Sequence, residues 1–300
     1  MRFISVFATF IAALLSVVLI FGCYKEKTAI ENAGGFEDVL QKTENYRQDI
    51  ASLEAELEEI ARQKAQAQER LDKLQSLENY KTEPTAFLTF DSGFSQYSVE
   101  TVKILDQNQI KGTFFVVAEN LKANETLRKA LKEAFDNGHK IGIRSYSDNL
   151  SKIYRSEEAY FEDLYACRDL VKEITGEAPV LVRMPGGSAT AEYWFKKYTG
   201  SNEVFQKVLS RLIAEGFVVN DWSVDTKNAQ QSDVDQIVST TLNGSGKVLK
   251  ATQKTCVVLF VDNKRVPTSL PRIISGLKEQ GYQFAGLPTG VVITRQRNVT

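Results

Sequence analysis

Residues 89–94 read Thr-Phe-Asp-Ser-Gly-Phe, and this stretch sets the interpretation of the whole chain. It overlaps the β-favouring run Ala86–Phe90, so Asp91 directly follows a predicted buried strand. The carboxyl ends of parallel strands meet at one edge of a sheet, where functional side chains collect. The stretch therefore predicts a candidate site at Asp91.

From Ala86 onward, short β-rich runs alternate with amphipathic runs, which predicts a parallel sheet with helices packed outside it. Strands are predicted at Ala86–Phe90, Gly112–Val117, Lys140–Ile143, Val180–Arg183, Val218–Asp221, Thr255–Phe260 and Gln283–Gly286. Helices are predicted at Val99–Gln107, Asn124–Asn137, Ser156–Thr175, Asn202–Glu215, Ser232–Thr241 and Pro267–Gln280. The polar residues at or just after strand ends are Asp91, Arg144, Arg183, Asp225 and Asp262.

Four later segments complete a pattern with residues 89–94. They read Gly-His-Lys-Ile-Gly-Ile-Arg-Ser-Tyr-Ser-Asp at 138–148, Arg-Met-Pro-Gly-Gly-Ser at 183–188, Asp-Trp-Ser-Val-Asp-Thr-Lys-Asn at 221–228 and Leu-Phe-Val-Asp at 259–262. In this order the five segments resemble the motifs of the polysaccharide deacetylases, the NodB-homology family or carbohydrate esterase family four. The resemblance covers about residues 84–288 and implies an α/β fold, a distorted (β/α)7 barrel.

The resemblance assigns a role to each motif position. It implies a catalytic base at Asp91 that is oriented by Arg183, and both residues are retained. It implies metal ligands at three positions that are occupied here by Ser92, Arg144 and Asp148.

The resemblance also implies a general-acid histidine, where this chain has Val261, and an acid that positions it, where this chain has Asn228. The only histidine, His139, falls on a position that is not a ligand.

These replacements remove the chemistry that the family would perform with zinc or another divalent metal. A guanidinium stays protonated and does not ligate, and a catalytic zinc normally has three protein ligands. Loss of general acid–base help alone typically costs about 10²–10⁴-fold in rate. We therefore expect a pseudoenzyme with no metal and no cofactor. Asp91 and Arg183 also have a purely structural interpretation, as a buried ion pair.

Arg144 is predicted to supply the positive charge that the missing ion would provide. Its planar fork could pair with Asp148, four residues later if their loop is helical, while Arg183 holds Asp91. The alternative is that Arg144 points into solvent.

Aromatic and acidic residues near the predicted strand ends are candidates for ligand binding, because sugars stack on exposed rings. They are Tyr146, Trp194, Trp222 and Asp225. Each ring also has an interpretation as part of the core.

The composition is that of a globular protein with an extension. The 300 residues are 43% hydrophobic and 25% charged with a net charge of −1, which gives no support for nucleic-acid binding. Three cysteines without paired spacing predict no disulfide framework, and Cys167 and Cys256 are interpreted as small buried residues.

The amino-terminal segment, residues 1–24, is predicted to be a transmembrane anchor. Its apolar run Phe3–Gly22 contains 20 residues, enough to span a hydrocarbon core of about 30 Å. This predicts a single-pass bacterial membrane protein whose carboxyl-terminal domain lies outside the cytoplasm. The alternative is lipid attachment at Cys23, since Ile20–Cys23 resembles an imperfect lipobox.

Between anchor and domain, residues 36–83 are predicted to form a coiled-coil stalk. Apolar residues, and a few other residues that a coiled-coil seam tolerates, recur at alternating steps of four and three residues, which is a heptad pattern. The seam comprises Val39, Thr43, Tyr46, Ile50, Leu53, Leu57, Ile60, Lys64, Ala67, Leu71, Leu74 and Glu78. A solitary charged helix that acts as a spacer is the alternative. The coiled coil would permit homo-oligomers, and Pro84 would end the helix before the domain at 84–300.

Three functions follow from these features. The first is a membrane-tethered, catalytically inactive deacetylase-family protein that binds cell-wall glycan or an envelope protein. The second is an active metal-dependent N-deacetylase of peptidoglycan or another polysaccharide. The third is a coiled-coil scaffold.

Overall fold

The computed structural model describes residues 36–251 and 254–298. Its first element is a long helix, α1, Phe36–Thr82. The chain divides within this helix, between Leu71 and Asp72, into two compact units. Among the described residues, no helix is both long and apolar enough to cross a membrane. The predicted anchor at residues 1–24 lies outside the described residues.

The second unit contains an eight-stranded, parallel sheet. Its strands are β1 Thr85–Gly93, β2 Thr113–Val117, β3 Lys140–Ser145, β4 Leu181–Val182, β5 Val218–Val219, β6 Val224–Asp225, β7 Thr255–Val261 and β8 Gln283–Phe284. They lie in the order β5-β4-β3-β2-β1-β7-β6, with β8 paired to the start of β1. No ladder joins β5 to β6 in the described part of the chain, so the sheet is a curled half-barrel.

Helices connect all successive strands except β5 and β6, which a short loop joins, and such helical crossovers are expected for parallel pairing. They are α2 Gln96–Gln107, α3 Glu125–Asp136, α4 Leu150–Ile153, α5 Glu157–Thr175, α6 Ser188–Thr199, α7 Glu203–Ala214, α8 Val234–Lys250 and α9 Arg265–Glu279. Side-chain oxygens of Ser95, Asn124 and Ser156 accept hydrogen bonds from backbone N–H groups at the starts of α2, α3 and α5. These caps satisfy donors that lack helical partners.

The predicted parallel α/β architecture is confirmed, with three corrections. Strand β6, Val224–Asp225, could not be predicted, because a strand of 2 residues has no readable alternation. Helices α4 and α6 were not predicted either; the latter begins at Ser188 after Gly187, which provides no side-chain cap. The predicted end of α8 at Thr241 was too early, since the helix continues to Lys250.

Alternation along β1 places its side chains on two faces. Leu88 and Phe90 belong to the main core, which includes residues of the surrounding helices. Phe87 belongs to a second cluster on the other face, with Phe115, Leu181, Val218, Val257 and Leu287. Asp91 lies four residues after Phe87 and therefore shares its face. The candidate site consequently sits at the carboxyl end of the inner face.

Candidate functional site

Arg183 is a fully buried charged residue at this end of the sheet. Its side chain is fully buried, and its Nη1 donates to Asp91 Oδ1 at 2.9 Å. The same nitrogen donates to Thr89 Oγ1 at 2.7 Å, while Nε and Nη2 donate to the backbone carbonyls of Asn220 and Asp221 at 3.0 and 2.7 Å. The guanidinium also lies 4.2 Å from the ring centre of Phe115. The predicted Asp91–Arg183 pair is present in the structure.

Burial lowers the pKa of the Arg183 guanidinium, and the neighbouring Asp91 offsets part of that effect. A guanidinium remains charged through such a shift because its ordinary pKa is so high. The four hydrogen bonds that Arg183 donates thus join the end of β1 to the segment after β5, around one charge on the residue that follows β4.

Arg144 approaches the same carboxylate from β3. Its Nη1 donates to Asp91 Oδ2 at 2.9 Å, and its Nε donates to Asp148 Oδ1 at 3.0 Å. The Arg144 side chain is only 12% exposed. The predicted pair with Asp148 is present, and the solvent-facing alternative is wrong. The contact with Asp91 was not predicted.

Burial lowers the pKa of Arg144, but the nearby carboxylates of Asp91 and Asp148 raise it more, so the net shift is upward. The group is therefore held in its protonated form. Both oxygens of Asp91 now accept hydrogen bonds from guanidinium groups, one from each arginine.

The loop after β3 is not helical, which corrects the geometry assumed for the Arg144 pair. Asp148 has a positive φ of 50°, and its N–H donates to Ser145 Oγ at 3.1 Å. Asp163 of α5 accepts from the backbone N–H groups of Tyr146 and Ser147 at 2.7 and 3.1 Å. Asp163 was missed because it lies in an amphipathic helix outside every motif. It fixes the loop that presents Asp148.

Asn228 and Val261 meet in a reciprocal pair. The Asn228 Nδ2 donates to the Val261 carbonyl at 2.7 Å, and its Oδ1 accepts from the Val261 N–H at 2.9 Å. A carboxamide can do both, whereas a carboxylate only accepts. Asn228 therefore binds its loop to the end of β7, and Val261 offers no side-chain proton to the site.

Ser92 and Asp262 flank Asp91. Ser92 has a φ of 65° and lies within β1, where the register with β2 shifts between Asp91 and Gly93. The Asp262 N–H donates to the Asp91 carbonyl at 2.8 Å, which joins the ends of β1 and β7. Burial raises the pKa of the Asp262 carboxyl group.

Of the remaining candidates, Trp222 lies at the site, with its ring centre 5.7 Å from the Arg183 guanidinium, whereas Trp194 and Asp225 contact other residues. Trp222 packs over Gly187, where an added Cβ would lie 2.8 Å from its ring. Trp194 stacks on Tyr198 along α6 with ring centres 5.5 Å apart. The Asp225 carboxylate binds the backbone and ammonium of Lys227 at 2.8 and 2.7 Å.

Tyr146 has a different setting. It lines a cavity of about 260 Å³ beside the Asp148 loop, together with Ser147, Lys152 and Glu162. Tyr146 is thus a predicted ligand residue that borders a cavity beside the Asp148 loop.

The residues present do not fit a divalent metal. Across residues 36–251 and 254–298, no three His, Cys, Asp or Glu side chains gather closely enough to hold an ion. Asp91 and Asp148 both face Arg144, and a second cation beside a guanidinium would be repelled. The cluster already balances two carboxylates with two guanidinium groups.

Comparison with known proteins agrees with the fold and the motifs. The polysaccharide deacetylase family profile matches residues 78–198. A peptidoglycan-N-acetylglucosamine deacetylase of Bacillus cereus is 30% identical over 207 residues, which cover 69% of this chain and 70% of that protein.

Solved structures show the same similarity. The catalytic domain of a peptidoglycan N-acetylglucosamine deacetylase from Eubacterium rectale has a TM-score of 0.63 and 26% identity, covering 71% of this chain and 93% of that one. A mutant of a family-four pseudoenzyme with restored enzymatic activity has a TM-score of 0.54, covering 71% of this chain and 69% of that one. Its 20% identity shows the fold alone.

Proposed function

Because the chain belongs to the polysaccharide deacetylase family, we propose that it binds a cell-wall glycan without deacetylating it. One observation carries this proposal: the Arg144 guanidinium lies between Asp91 and Asp148, at a position that the family resemblance assigns to a metal ligand. The charge that would polarise a carbonyl and activate water is replaced by a cation that does neither through coordination.

The proton balance supports the same proposal. Amide hydrolysis needs a group that protonates the leaving amine. Val261 has no such group, and Asn228 is engaged with the Val261 backbone. Asp91 has both oxygens in contact with arginines, so it is poorly placed to take a proton from water.

Glycan binding is supported by the relatives and by the local surface. The relatives are named as deacetylases of peptidoglycan. The cavity beside Tyr146 offers an aromatic ring, an ammonium and a carboxylate, a combination that suits stacking and hydrogen bonding to a sugar.

Active deacetylation is the second candidate, and the names of the same relatives favour it. It requires the site to recruit a metal with ligands other than those at the motif positions. The coiled-coil scaffold remains compatible with the exposed apolar residues of α1.

We further propose that the domain is tethered outside a bacterial membrane. The apolar run Phe3–Gly22, or lipid attachment at Cys23, supports this location. Protease added to intact cells should remove the domain, and protection of the domain would contradict this orientation.

The proposal that the chain binds a glycan without deacetylating it is tested with the purified chain and an N-acetylglucosamine oligosaccharide. Acetate release is measured with Zn²⁺ and with EDTA, and binding is measured by NMR titration. We expect binding that is insensitive to EDTA and no acetate above background. Metal-dependent acetate release that is lost in Asp91→Asn would establish the second candidate, and absence of both binding and turnover would contradict the glycan proposal.

The matched control restores the expected metal ligands and general acid in one variant: Ser92→Asp, Arg144→His, Asp148→His and Val261→His. A family-four pseudoenzyme that shares this fold has regained enzymatic activity by mutation. Acetate release by this variant would show that the assay detects turnover on this fold.

A further inference from the structure

The cavity of about 260 Å³ beside the Asp148 loop, called here the Tyr146 cavity, is built by three elements of the second compact unit. The loop after β3 contributes Tyr146 and Ser147, α4 contributes Lys152, and α5 contributes Glu162 and Asp163. Tyr146 is half-buried, whereas Lys152 and Glu162 are exposed. The Tyr146 cavity therefore combines an aromatic residue with charged groups that solvent reaches.

The charged residues of the Tyr146 cavity differ in what they already bind. Asp163 is engaged through both oxygens: Oδ1 accepts from the Tyr146 N–H at 2.7 Å, and Oδ2 accepts from the N–H and the Oγ of Ser147 at 3.1 and 2.7 Å. Within the part of the chain that the structure describes, no hydrogen bond or ion pair occupies the Glu162 carboxylate or the Lys152 ammonium. One charged acceptor and one charged donor thus remain available to a ligand.

The balance of charge in the Tyr146 cavity is negative. Two carboxylates, those of Glu162 and Asp163, line it together with the single ammonium of Lys152. The adjacent cluster adds no net charge, because its two guanidinium groups compensate its two carboxylates. The face of an aromatic ring also attracts cations. The Tyr146 cavity therefore favours a ligand that carries a positive charge over a neutral ligand of the same shape.

We propose that the Tyr146 cavity binds a hexosamine whose amine is free, which is the form of the glycan that remains after deacetylation. Tyr146 stacks against the sugar ring, Glu162 pairs with the sugar ammonium, and Lys152 donates hydrogen bonds to sugar hydroxyl groups. An N-acetylated hexosamine is neutral and lacks this ammonium. This inference rests on the proposed glycan binding and specifies the chemical form of the glycan.

The proposal also places the chain in a reaction sequence. Hydrolysis of the N-acetyl amide by water releases acetate and leaves an amine, which takes up a proton at neutral pH. A catalytically active N-deacetylase must therefore supply the ligand, and this chain binds what that enzyme produces.

Two trisaccharides of equal length are the probes, one of N-acetylglucosamine and one of glucosamine. Each is titrated into the purified full chain in the presence of EDTA, and the dissociation constants are measured by NMR. We expect the glucosamine trisaccharide to bind about fivefold more tightly, which is the effect of one favourable ion pair at a partly exposed site. Added salt should reduce this preference, because it screens the pair.

Three variants assign the preference to the Tyr146 cavity. Glu162→Gln keeps the shape of the side chain and removes its charge, so both trisaccharides should bind with equal affinity. Glu100→Gln is the matched control, since it removes an exposed carboxylate from α2, and it should leave the preference unchanged. Tyr146→Leu keeps an apolar side chain but removes the ring, so it should weaken the binding of both trisaccharides.

Two results would overturn this inference and leave the proposed function standing. The first is that the native chain binds the N-acetylglucosamine trisaccharide as tightly as the glucosamine trisaccharide, or more tightly. The second is a preference for glucosamine that persists in Glu162→Gln, because its cause would then lie outside the Tyr146 cavity. Binding of neither trisaccharide would contradict the proposed function itself, and this inference with it.

Discussion

Arg144 Nη1 lies 2.9 Å from Asp91 Oδ2, and this contact joins the residue at an expected metal-ligand position to the residue expected to be the base. Asp91 is 2% exposed and still accepts from Arg183 through its other oxygen. The candidate site is thus a closed ion cluster whose charges compensate each other. Its organisation leads to predictions about stability, protonation and metal binding.

Removal of the central cation should destabilise the domain. Arg144→Ala leaves Asp91 with one arginine instead of two, in a site with little access to water. Breaking a buried pair usually costs about 3–5 kcal/mol. We expect a smaller loss of about 2–3 kcal/mol, because Asp91 keeps Arg183 and the Asp148 side chain is 34% exposed. Urea unfolding measures this change.

The control is Arg272→Ala, which removes an exposed pair in the same unit. The Arg272 and Asp235 side chains are 56% and 77% exposed, so the loss should be about 0–1 kcal/mol. Equal losses for the two variants would show that Arg144 does not organise the cluster.

The Asn228 pair should be intolerant of a carboxylate. Asn228→Asp removes the donor to the Val261 carbonyl and places a negative charge beside that oxygen. Leaving a buried acceptor unsatisfied costs about 1–3 kcal/mol, and we expect a loss in that range by urea unfolding.

Asn124→Asp is the matched control for this change. Asn124 caps α3 by accepting from Leu127 N–H at 3.1 Å, which a carboxylate does equally well. The free energy of unfolding should stay constant or rise slightly, so a similar loss in both variants would point to a nonspecific effect of added charge.

His139 should titrate below its ordinary range. Its Nδ1 accepts from the Gly112 N–H at 3.1 Å, and its Nε2 lies 3.2 Å from Asp106 Oδ1. Burial lowers the pKa of His139, and Asp106 offsets this in part. As the only histidine, it gives a single imidazole signal in an NMR pH titration, which we expect to have a midpoint below about 6.5.

The lowered pKa of His139 also determines how the stability of the fold changes with pH. Above about pH 6.5 the imidazole is neutral in both states, so its contribution to stability is complete. As pH falls below that value, the unfolded chain gains a proton before the folded chain does, and stability decreases. A midpoint at or above 6.5, or stability that rises over this range, would contradict the buried, neutral assignment.

Gly187 should resist substitution because two constraints coincide there. Its φ is 84°, and an added Cβ would lie 2.8 Å from Trp222. Gly176 has a φ of 88° and nothing within 4 Å of an added Cβ, so Gly176→Ala measures backbone strain alone. We expect Gly187→Ala to destabilise by about 1–3 kcal/mol more than Gly176→Ala in thermal or urea unfolding. Equal effects would mean that the indole moves aside freely.

Much of the fold was predictable because β1, β2, β3 and β7 are long enough to show continuous buried runs between turn signals. The strand at Val224–Asp225 was not, because 2 residues carry no period. The five motif segments could be placed at or just after predicted strands, so the sequence located the candidate site at the strand ends. Alternation along β1 then explains why Asp91 faces the same side as Phe87.

Which side chains of the site contact one another could not be predicted from the sequence. Arg144 and Asp91 lie on strands separated by β2, and nothing in the sequence states that order. Asp225 was predicted to bind ligand from its motif position, but its carboxylate bonds to Lys227 in a local turn. Asp163 had no motif signal, although it holds the loop that carries Asp148.

Calorimetric titration of the purified chain with Zn²⁺ tests whether Arg144 has replaced the metal ion. We expect no stoichiometric binding by the native chain, because Arg144 already compensates Asp91 and Asp148. We expect Ser92→Asp, Arg144→His and Asp148→His together to create a site, since one carboxylate and two imidazoles form a zinc ligand set. Stoichiometric zinc binding by the native chain that is lost in Asp148→Ala would show that Arg144 does not take the place of the ion.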